Sequence, residues 1–174
     1  QSESLSDQLN WQLGMNDLLE LEFRIGVELI GNFEDDGYLV TSIREMLETR
    51  RDLHDQILKD LVKGVIECDL EVDESIFDQK YNPVKAVMAK KSKEVLPPVF
   101  EEEDLDEDIT DESEPVSIDA CRFVEQVLRK IQTFDPNGVG ARSLQECLLV
   151  QLRILGKSDS LCYRIIEQDM NLLE

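Results

Sequence analysis

A turn between two apolar helical patterns, at residues 134–143, constrains the fold of this chain more than any other stretch. Pro136 lacks a backbone N–H and its ring clashes with the preceding turn, so the first helix is predicted to end at Phe134. Gly138 and Gly140 allow backbone conformations that other residues avoid. The stretch therefore predicts a tight corner that joins two helices.

The helix after this corner has a clear predicted start. Ser143 is a good N-cap, and Glu146 three residues later predicts a capping box. Apolar residues then recur at helical spacing, which predicts one buried stripe. The stripe consists of Leu144, Cys147, Leu148, Leu152 and Leu155.

A phosphate-binding loop is the alternative interpretation of the corner. Gly138, Gly140 and Arg142 open a helix, where backbone N–H groups and a cation attract anions. A dinucleotide fingerprint requires a third glycine at the position of Ser143 and a strand before the loop, and this sequence offers neither. We therefore interpret the loop as a structural corner.

The charge balance limits the kinds of partner. The chain has 39 acidic and 18 basic residues and a net charge of −21. This charge repels a phosphate backbone, which argues against nucleic-acid binding by this piece alone and leaves a basic protein surface as a partner. Aromatic residues make up 6% of the chain, so a core would consist mainly of Leu, Ile and Val, which favours packed helices.

The cysteines and the single histidine do not form a metal-binding pattern. Cys68, Cys121, Cys147 and Cys162 are widely spaced, with His54 as the only imidazole, so a zinc site is not expected. Cys121 and Cys147 lie on apolar helix faces and are expected to be buried thiols. We expect no catalytic residue, metal or cofactor. Without a signal peptide or an apolar run of membrane length, the sequence predicts a cytoplasmic protein with no membrane contact.

Two helices are predicted near the start of the chain. The first covers residues 4–13, and its Trp11 is expected to pack against a neighbouring helix, with contact to a partner as the alternative. The second covers about residues 17–33, with Asn16 or Asp17 as its cap. Its two apolar stripes predict burial on more than one side, as in the central helix of a bundle. The first stripe consists of Leu18, Leu21, Ile25 and Leu29, and the second of Leu19, Phe23 and Ile30.

An acidic stretch at residues 34–36 follows the second helix. Its carboxylates resemble a fragment of a calcium loop, but the alternating ligand spacing and the final glutamate of such loops are missing. A polar turn is the better interpretation, in which Gly37 provides the bend and Tyr38 and Leu39 return to the core.

Residues 48–116 differ in character from the rest of the chain. Residues 52–66 are predicted to be helical, and residues 67–73 alternate acidic and apolar positions, as in a short strand. Residues 101–114 contain ten acids and no base, a composition typical of a disordered connector. The fold prediction is therefore an all-α helical bundle with a long, acidic, partly disordered insertion.

Helical patterns resume after this segment. Ser117 is a predicted N-cap for the helix that leads to the corner, and a last helix is predicted from about residue 158. The pattern stops abruptly at Glu174. We expect the sequence to be a piece of a longer protein.

Three stretches together resemble the core-binding domain of the sigma-54 class of bacterial RNA polymerase sigma factors. They are SLSDQLNWQL, IGNFEDDGYLVTSIREML and VEQVLRKIQTFDPNGVGARSLQECLLVQL, and the resemblance covers residues 4–47 and 117–173. Residues 4–174 would form the N-terminal portion of that domain, with 48–116 as an insertion longer than the family's usual link. The motif residues that carry the resemblance are Gly37, Tyr38, Leu39, Phe134, Asp135, Pro136, Gly138, Val139, Ala141, Arg142, Leu144, Cys147 and Leu148.

This resemblance implies a function. Members of the class dock on core RNA polymerase, including the flap of its beta subunit, and the holoenzyme awaits an ATP-driven activator at promoter DNA. The family's activator-responsive region and promoter-reading elements are not in this sequence, so this piece is not expected to read DNA. The motif residues are expected to be mainly structural. Trp11 and Arg142 are the candidates for contact with the polymerase, although Arg142 could instead pair with the turn at residues 34–36.

A second class of function also fits the sequence. The acidic segment could imitate nucleic acid or sequester a basic partner, with the helices as its scaffold. Deleting residues 101–114 separates the two hypotheses, since it should abolish binding only in the second. An enzyme is a distant third hypothesis, because one histidine and scattered acids offer no plausible catalytic set.

Overall fold

The computed structural model describes residues 4–82 and 114–169. This part of the chain is all-α, as predicted, with one isolated β-bridge between Phe33 and Leu39. The predicted disordered connector falls almost entirely on residues 83–113, outside the described residues. No helix of the described part is long and apolar enough to cross a membrane. The helices are α1 Leu5–Met15, α2 Glu20–Ile30, α3 Ile43–Thr49, α4 Arg51–Val62, α5 Ile118–Ile131, α6 Leu144–Ile154 and α7 Leu161–Asp169, with a 3₁₀ helix at Glu74–Asp78.

Helix α5 lies at the centre of the bundle. It packs against α2, α3, α4 and the 3₁₀ helix, because its apolar positions recur on more than one side. The two apolar stripes of α2 predict the central position for α2 and not for α5. In the structure, part of the second stripe of α2 faces outwards. The buried apolar residues of α5 are Ala120, Cys121, Phe123, Val124, Val127, Leu128 and Ile131, each at most 1% exposed.

Helix α2 begins later than predicted, at Glu20. Its N-cap is Leu19, whose backbone N–H donates a hydrogen bond to Glu22 Oε2 at 3.0 Å. The side chain of Asn16, one of the predicted caps, instead donates to the Gln12 carbonyl at the end of α1. A glutamate in the first turn therefore satisfies the backbone here in place of a polar N-cap side chain.

A buried histidine connects α4 to the start of α5. His54 is 4% exposed, and its Nε2 accepts a hydrogen bond from the Ser117 backbone N–H at 3.0 Å. Ser117 is the N-cap residue, as predicted, but its side chain makes no cap hydrogen bond. The imidazole thus satisfies a backbone donor at the start of α5 and fixes that start against α4.

The segment after α4 departs from its predicted secondary structure. α4 ends at Val62, before the predicted end at residue 66. The predicted strand at residues 67–73 does not form, and no second strand is present among the described residues to share a ladder with it. The chain instead runs on in an irregular conformation to the 3₁₀ helix.

The same segment nevertheless packs against the bundle. Phe77 is fully buried, and Asp78 beside it pairs with Arg44 of α3 at 2.8 Å. Tyr81 stacks on Tyr38 with the ring centroids 4.2 Å apart. The first part of the range 48–116 therefore contributes side chains to the core of the fold.

Replacing Phe77 with alanine is expected to destabilise the fold by about 3–5 kcal/mol, because the truncation leaves a cavity in the core. Val65→Ala, at a position that is 61% exposed, is the control and should change stability by less than about 0.5 kcal/mol. Urea denaturation followed by circular dichroism measures both variants. Equal midpoints for the two would contradict a core role for the segment after α4.

Candidate functional site: the corner between α5 and α6

The corner between α5 and α6 is held in place by α1. Helix α5 ends at Ile131, three residues before the predicted end at Phe134, which is 7% exposed. The Gln12 side chain of α1 donates to the Asp135 carbonyl at 2.7 Å and accepts from the Asp135 N–H at 2.9 Å. The Asp135–Pro136 peptide bond is cis. One amide side chain thus fixes both polar groups of the backbone at the turn.

The motif residues at positions 37–39 contact those at positions 134–148 at this corner. The Gly140 N–H donates to the Gly37 carbonyl at 2.6 Å, and the Leu39 N–H donates to the Ala141 carbonyl at 3.0 Å. Leu39 and Ala141 are each 1% exposed, and Val139 is 4% exposed. Motif residues about a hundred positions apart in the sequence therefore form one structural unit.

Two glycines of the corner have no room for a side chain. Gly138 and Gly140 adopt φ angles of 86° and 76°, which other residues rarely adopt. A Cβ on Gly138 would lie 2.8 Å from Cys147 Sγ, and a Cβ on Gly140 would lie 2.7 Å from Phe33 Cζ. Both the backbone conformation and the packing therefore require glycine.

Three backbone donors of the corner are already paired within the chain. The Gly138 N–H donates to the Gln132 carbonyl at 2.9 Å, and the Gly140 N–H donates to the Gly37 carbonyl. The Arg142 N–H donates to Glu146 Oε2 at 2.7 Å. A phosphate group would have to compete with these bonds and with a carboxylate, so the geometry favours the structural interpretation over an anion site.

Arg142 forms a buried ion cluster with two glutamates. Its Nη1 donates to Glu125 Oε2 of α5 at 2.9 Å, and its Nη2 donates to Glu146 Oε1 of α6 at 2.6 Å. The side chains of Arg142 and Glu125 are 2% and 1% exposed. The alternative pairing of Arg142 with the turn at residues 34–36 is therefore wrong, because the guanidinium faces inwards and pairs with Glu125 and Glu146. The contact of Arg142 with a partner stays a prediction, and this side chain has almost no exposed surface with which to make it.

The ion cluster also changes the role of Glu146. Ser143 caps α6 as predicted, since its Oγ accepts from the Glu146 N–H at 3.1 Å. The carboxylate of Glu146 does not complete the capping box, because it binds Arg142 and accepts from Gln132 Nε2 at 3.0 Å. Half of the predicted box is present, and the other half is replaced by a contact between helices.

The hydrogen bonds of the cluster keep it charged. Burial by itself lowers the pKa of Arg142, but hydrogen bonds to Glu146 and Glu125 outweigh burial and raise the pKa above its ordinary value. Burial likewise raises the pKa of Glu146, but the hydrogen bonds and charge of Arg142 lower it overall. Each ion therefore stabilises its counter-ion at neutral pH, and the cluster joins α5 to α6.

Glu125 is the member of this cluster that the sequence motifs do not single out. It lies within the otherwise largely apolar buried face of α5, between Val124 and Val127. An acid at such a position requires a compensating charge or hydrogen bonds. That local signal indicates a buried partner, but it does not identify Arg142 as the partner.

Helix α6 buries less of its predicted stripe than expected. Leu144 and Leu155 are 50% and 64% exposed, whereas Val150 is 6% exposed. Cys147, a predicted buried thiol, and Leu148 are only partly buried. Helix α6 packs mainly on α7, and this packing leaves Leu144 and Leu155 largely uncovered.

Trp11 does not pack against a neighbouring helix as predicted, because it is 66% exposed on α1. Met15 on the same helix is 70% exposed. Leu19 and Phe23, assigned to the second apolar stripe of α2, are 50% and 40% exposed. Of the two residues proposed to contact a partner, Trp11 is thus accessible and Arg142 is not.

Arg142→Met should destabilise the fold by about 3–5 kcal/mol, because it leaves two carboxylates in or near the core without their counter-charge. Arg24 and Asp52 form an ion pair with side chains 45% and 53% exposed, and Arg24→Met should leave the unfolding midpoint almost unchanged. Chemical denaturation compares the two variants. Similar midpoints would contradict a stabilising role for the cluster.

Gly140→Val should destabilise the fold by at least about 2 kcal/mol, because it combines an unfavourable φ with overpacking. Gly14→Ala is the control, since a Cβ there meets nothing within 4 Å and alanine favours a helix by about 0.5–1 kcal/mol. Thermal unfolding by circular dichroism measures both changes. An unaltered melting temperature for Gly140→Val would show that the corner tolerates a side chain there.

Comparison with known proteins identifies the family. The model of the family described as "Sigma-54 factor, core binding domain" matches residues 1–69 and 101–174. This match reaches further than the motifs at residues 4–47 and 117–173, and it includes α4. It passes over residues 70–100, so the predicted boundaries of an insertion at 48–116 stay a prediction.

Named relatives agree with this match. The RNA polymerase sigma-54 factor of Xanthomonas euvesicatoria is 30% identical over 155 residues, which cover 89% of this chain and 19% of the relative. That of Pseudomonas aeruginosa is 28% identical over 153 residues, which cover 88% of this chain and 18% of the relative. That of Bacillus subtilis is 49% identical over 51 residues, or 29% of this chain and 12% of the relative.

The aligned part of the chain spans about a fifth of the length of the Xanthomonas and Pseudomonas relatives. The family match covers most of the chain, and the motif residues within it form the buried corner described above. The chain belongs to the family of sigma-54 factor core binding domains.

Proposed function

We propose that this chain binds core RNA polymerase as the N-terminal portion of the core-binding domain of a sigma-54 transcription initiation factor. The observation that carries this proposal is the family match across both halves of the helical bundle, including the corner. We assign it no catalytic step and no cofactor, and we place it in the cytoplasm with the polymerase.

The flap of the beta subunit is the part of the polymerase that we propose as its docking site. A net charge of −21 favours a basic protein surface over DNA. Contact with promoter DNA and with an ATP-driven activator would then belong to other parts of the whole protein.

The geometry of the motifs supports a scaffold role for the corner. Gly37, Leu39, Val139, Ala141 and Arg142 have their polar groups or apolar surfaces turned inwards. Residues with this burial cannot touch a partner without unfolding the corner. The polymerase must therefore be bound by exposed side chains that the corner holds in position.

The alternative function, sequestration of a basic partner by the acidic segment, has less support. The family match extends into residues 101–114 and accounts for the helices around them. The alternative requires the acids themselves to bind and the helices to act only as a scaffold.

Pull-down of this chain with purified core RNA polymerase, and separately with the isolated beta-flap domain, is expected to give binding to both. Binding should weaken at high salt, because exposed charges are screened. A variant lacking residues 101–114 should bind as well as the wild type. Failure to bind either target would overturn the proposal, and loss of binding only in the deletion variant would favour the alternative.

A further inference from the structure

Five large apolar side chains lie exposed on the first two helices. Trp11 and Met15 on α1 are 66% and 70% exposed, and they are four residues apart. Leu19, Phe23 and Val27, again four residues apart, are 50%, 40% and 42% exposed. We call these five residues the outer face.

The outer face is separate from the surface that these helices use for the core. Leu9 and Leu13 of α1 and Ile25 and Leu29 of α2 are fully buried. Single exposed apolar residues are common on proteins, but a set at helical spacing on two packed helices is typical of an interaction surface. Tryptophan and other aromatic residues often provide most of the binding energy at such surfaces.

The charges beside the outer face are acidic. Asp17 and Glu20 flank Leu19, and neither forms an ion pair within the described residues. The nearest base in the sequence, Arg24, is paired with Asp52. The uncompensated charge here is therefore negative, and it complements a partner surface bordered by Lys and Arg.

A groove lies next to the connection between α1 and α2. It has a volume of about 460 Å³ and is open on one side. The groove includes residues 16–18, which lie between Met15 and Leu19 of the outer face in the sequence. Its two bases, Arg129 and Lys130, are paired with Glu125 and Glu22, so they add no uncompensated positive charge there. The groove is lined by Asn16, Asp17, Leu18, Arg129, Lys130, Thr133 and Phe134.

The hairpin of α6 and α7 also exposes apolar side chains, but its charges differ. Leu155 and Leu161 are 64% and 70% exposed. Three bases, Arg153, Lys157 and Arg164, and one acid, Asp159, lie around them in the sequence. Charge complementarity to a basic partner is thus present at the outer face and absent at this hairpin.

We propose that the outer face is the surface by which this chain docks on core RNA polymerase. Its counterpart on the polymerase is an apolar patch bordered by basic residues. Trp11 is the central anchor, and Asp17 and Glu20 steer the approach. This inference rests on the proposed function, because it names the surface through which that binding takes place.

The test compares two matched double variants of the full chain. Trp11→Gln with Phe23→Gln alters the outer face. Leu155→Gln with Leu161→Gln alters two exposed apolar residues on the hairpin of α6 and α7. Titration of dye-labelled protein with core RNA polymerase, followed by fluorescence anisotropy, gives the affinities. The first variant should bind about tenfold more weakly or worse, as expected for an aromatic anchor, and the second should bind within about twofold of the wild type.

A second measurement follows the fluorescence of the proposed anchor, Trp11. Trp11 is the only tryptophan of the chain, so incorporation of 5-hydroxytryptophan labels this position alone and distinguishes it from polymerase tryptophans. Binding should shift its emission to shorter wavelength and protect it from acrylamide quenching. Asp17→Lys with Glu20→Lys should weaken binding at low salt and reduce its dependence on salt.

The outcomes separate this inference from the function on which it rests. If the wild type does not bind polymerase, the proposed function fails. If the wild type binds and the outer-face variant binds equally well, this inference is overturned while the function stands. If the wild type sediments as a dimer that the outer-face variant abolishes, the face is an interface between copies, which also overturns the inference. Circular dichroism of both double variants should match the wild type, because all four positions are exposed.

Discussion

The buried ion cluster of Arg142 joins two parts of the structure that otherwise share few contacts. One guanidinium bridges Glu125 of α5 and Glu146 of α6 across the corner. Removing these ions from water is costly, and the cost is offset only while every partner is present and well oriented. The cluster therefore favours one arrangement of the corner, and with it one direction for the hairpin of α6 and α7.

The family motifs are explained by this corner. Gly138 and Gly140 allow the close backbone approach, Gly37 and Leu39 supply hydrogen-bonding partners, and the arginine fixes the helix that follows. At each of these positions, a stereochemical or electrostatic requirement explains the type of residue that is present. A motif of this kind identifies a fold very well, but its buried members, such as Val139, Ala141 and Arg142, do not identify a binding surface.

According to the proposal, the residues that bind the partner differ from the residues that stabilise the fold. The inward faces of α1 and α2 hold the bundle together, while their outer face presents exposed apolar residues, with Asp17 and Glu20 on either side of Leu19. An exposed aromatic residue adds little to the stability of the isolated chain, because most of its surface stays in contact with water. Its burial against the proposed partner would release that water, so the outer face would gain free energy only on association.

Local sequence determined the helical class, the position of the corner and the Ser143 cap of α6, because these depend on residues a few positions apart. Helical periodicity also located the buried face of α5. The pairing of Arg142 with Glu125, the histidine that caps α5 and the exposure of Trp11 were decided only by tertiary structure. Periodicity reveals that a helix has an apolar face, but only the packing of distant elements determines whether that face is covered, and which buried charges meet.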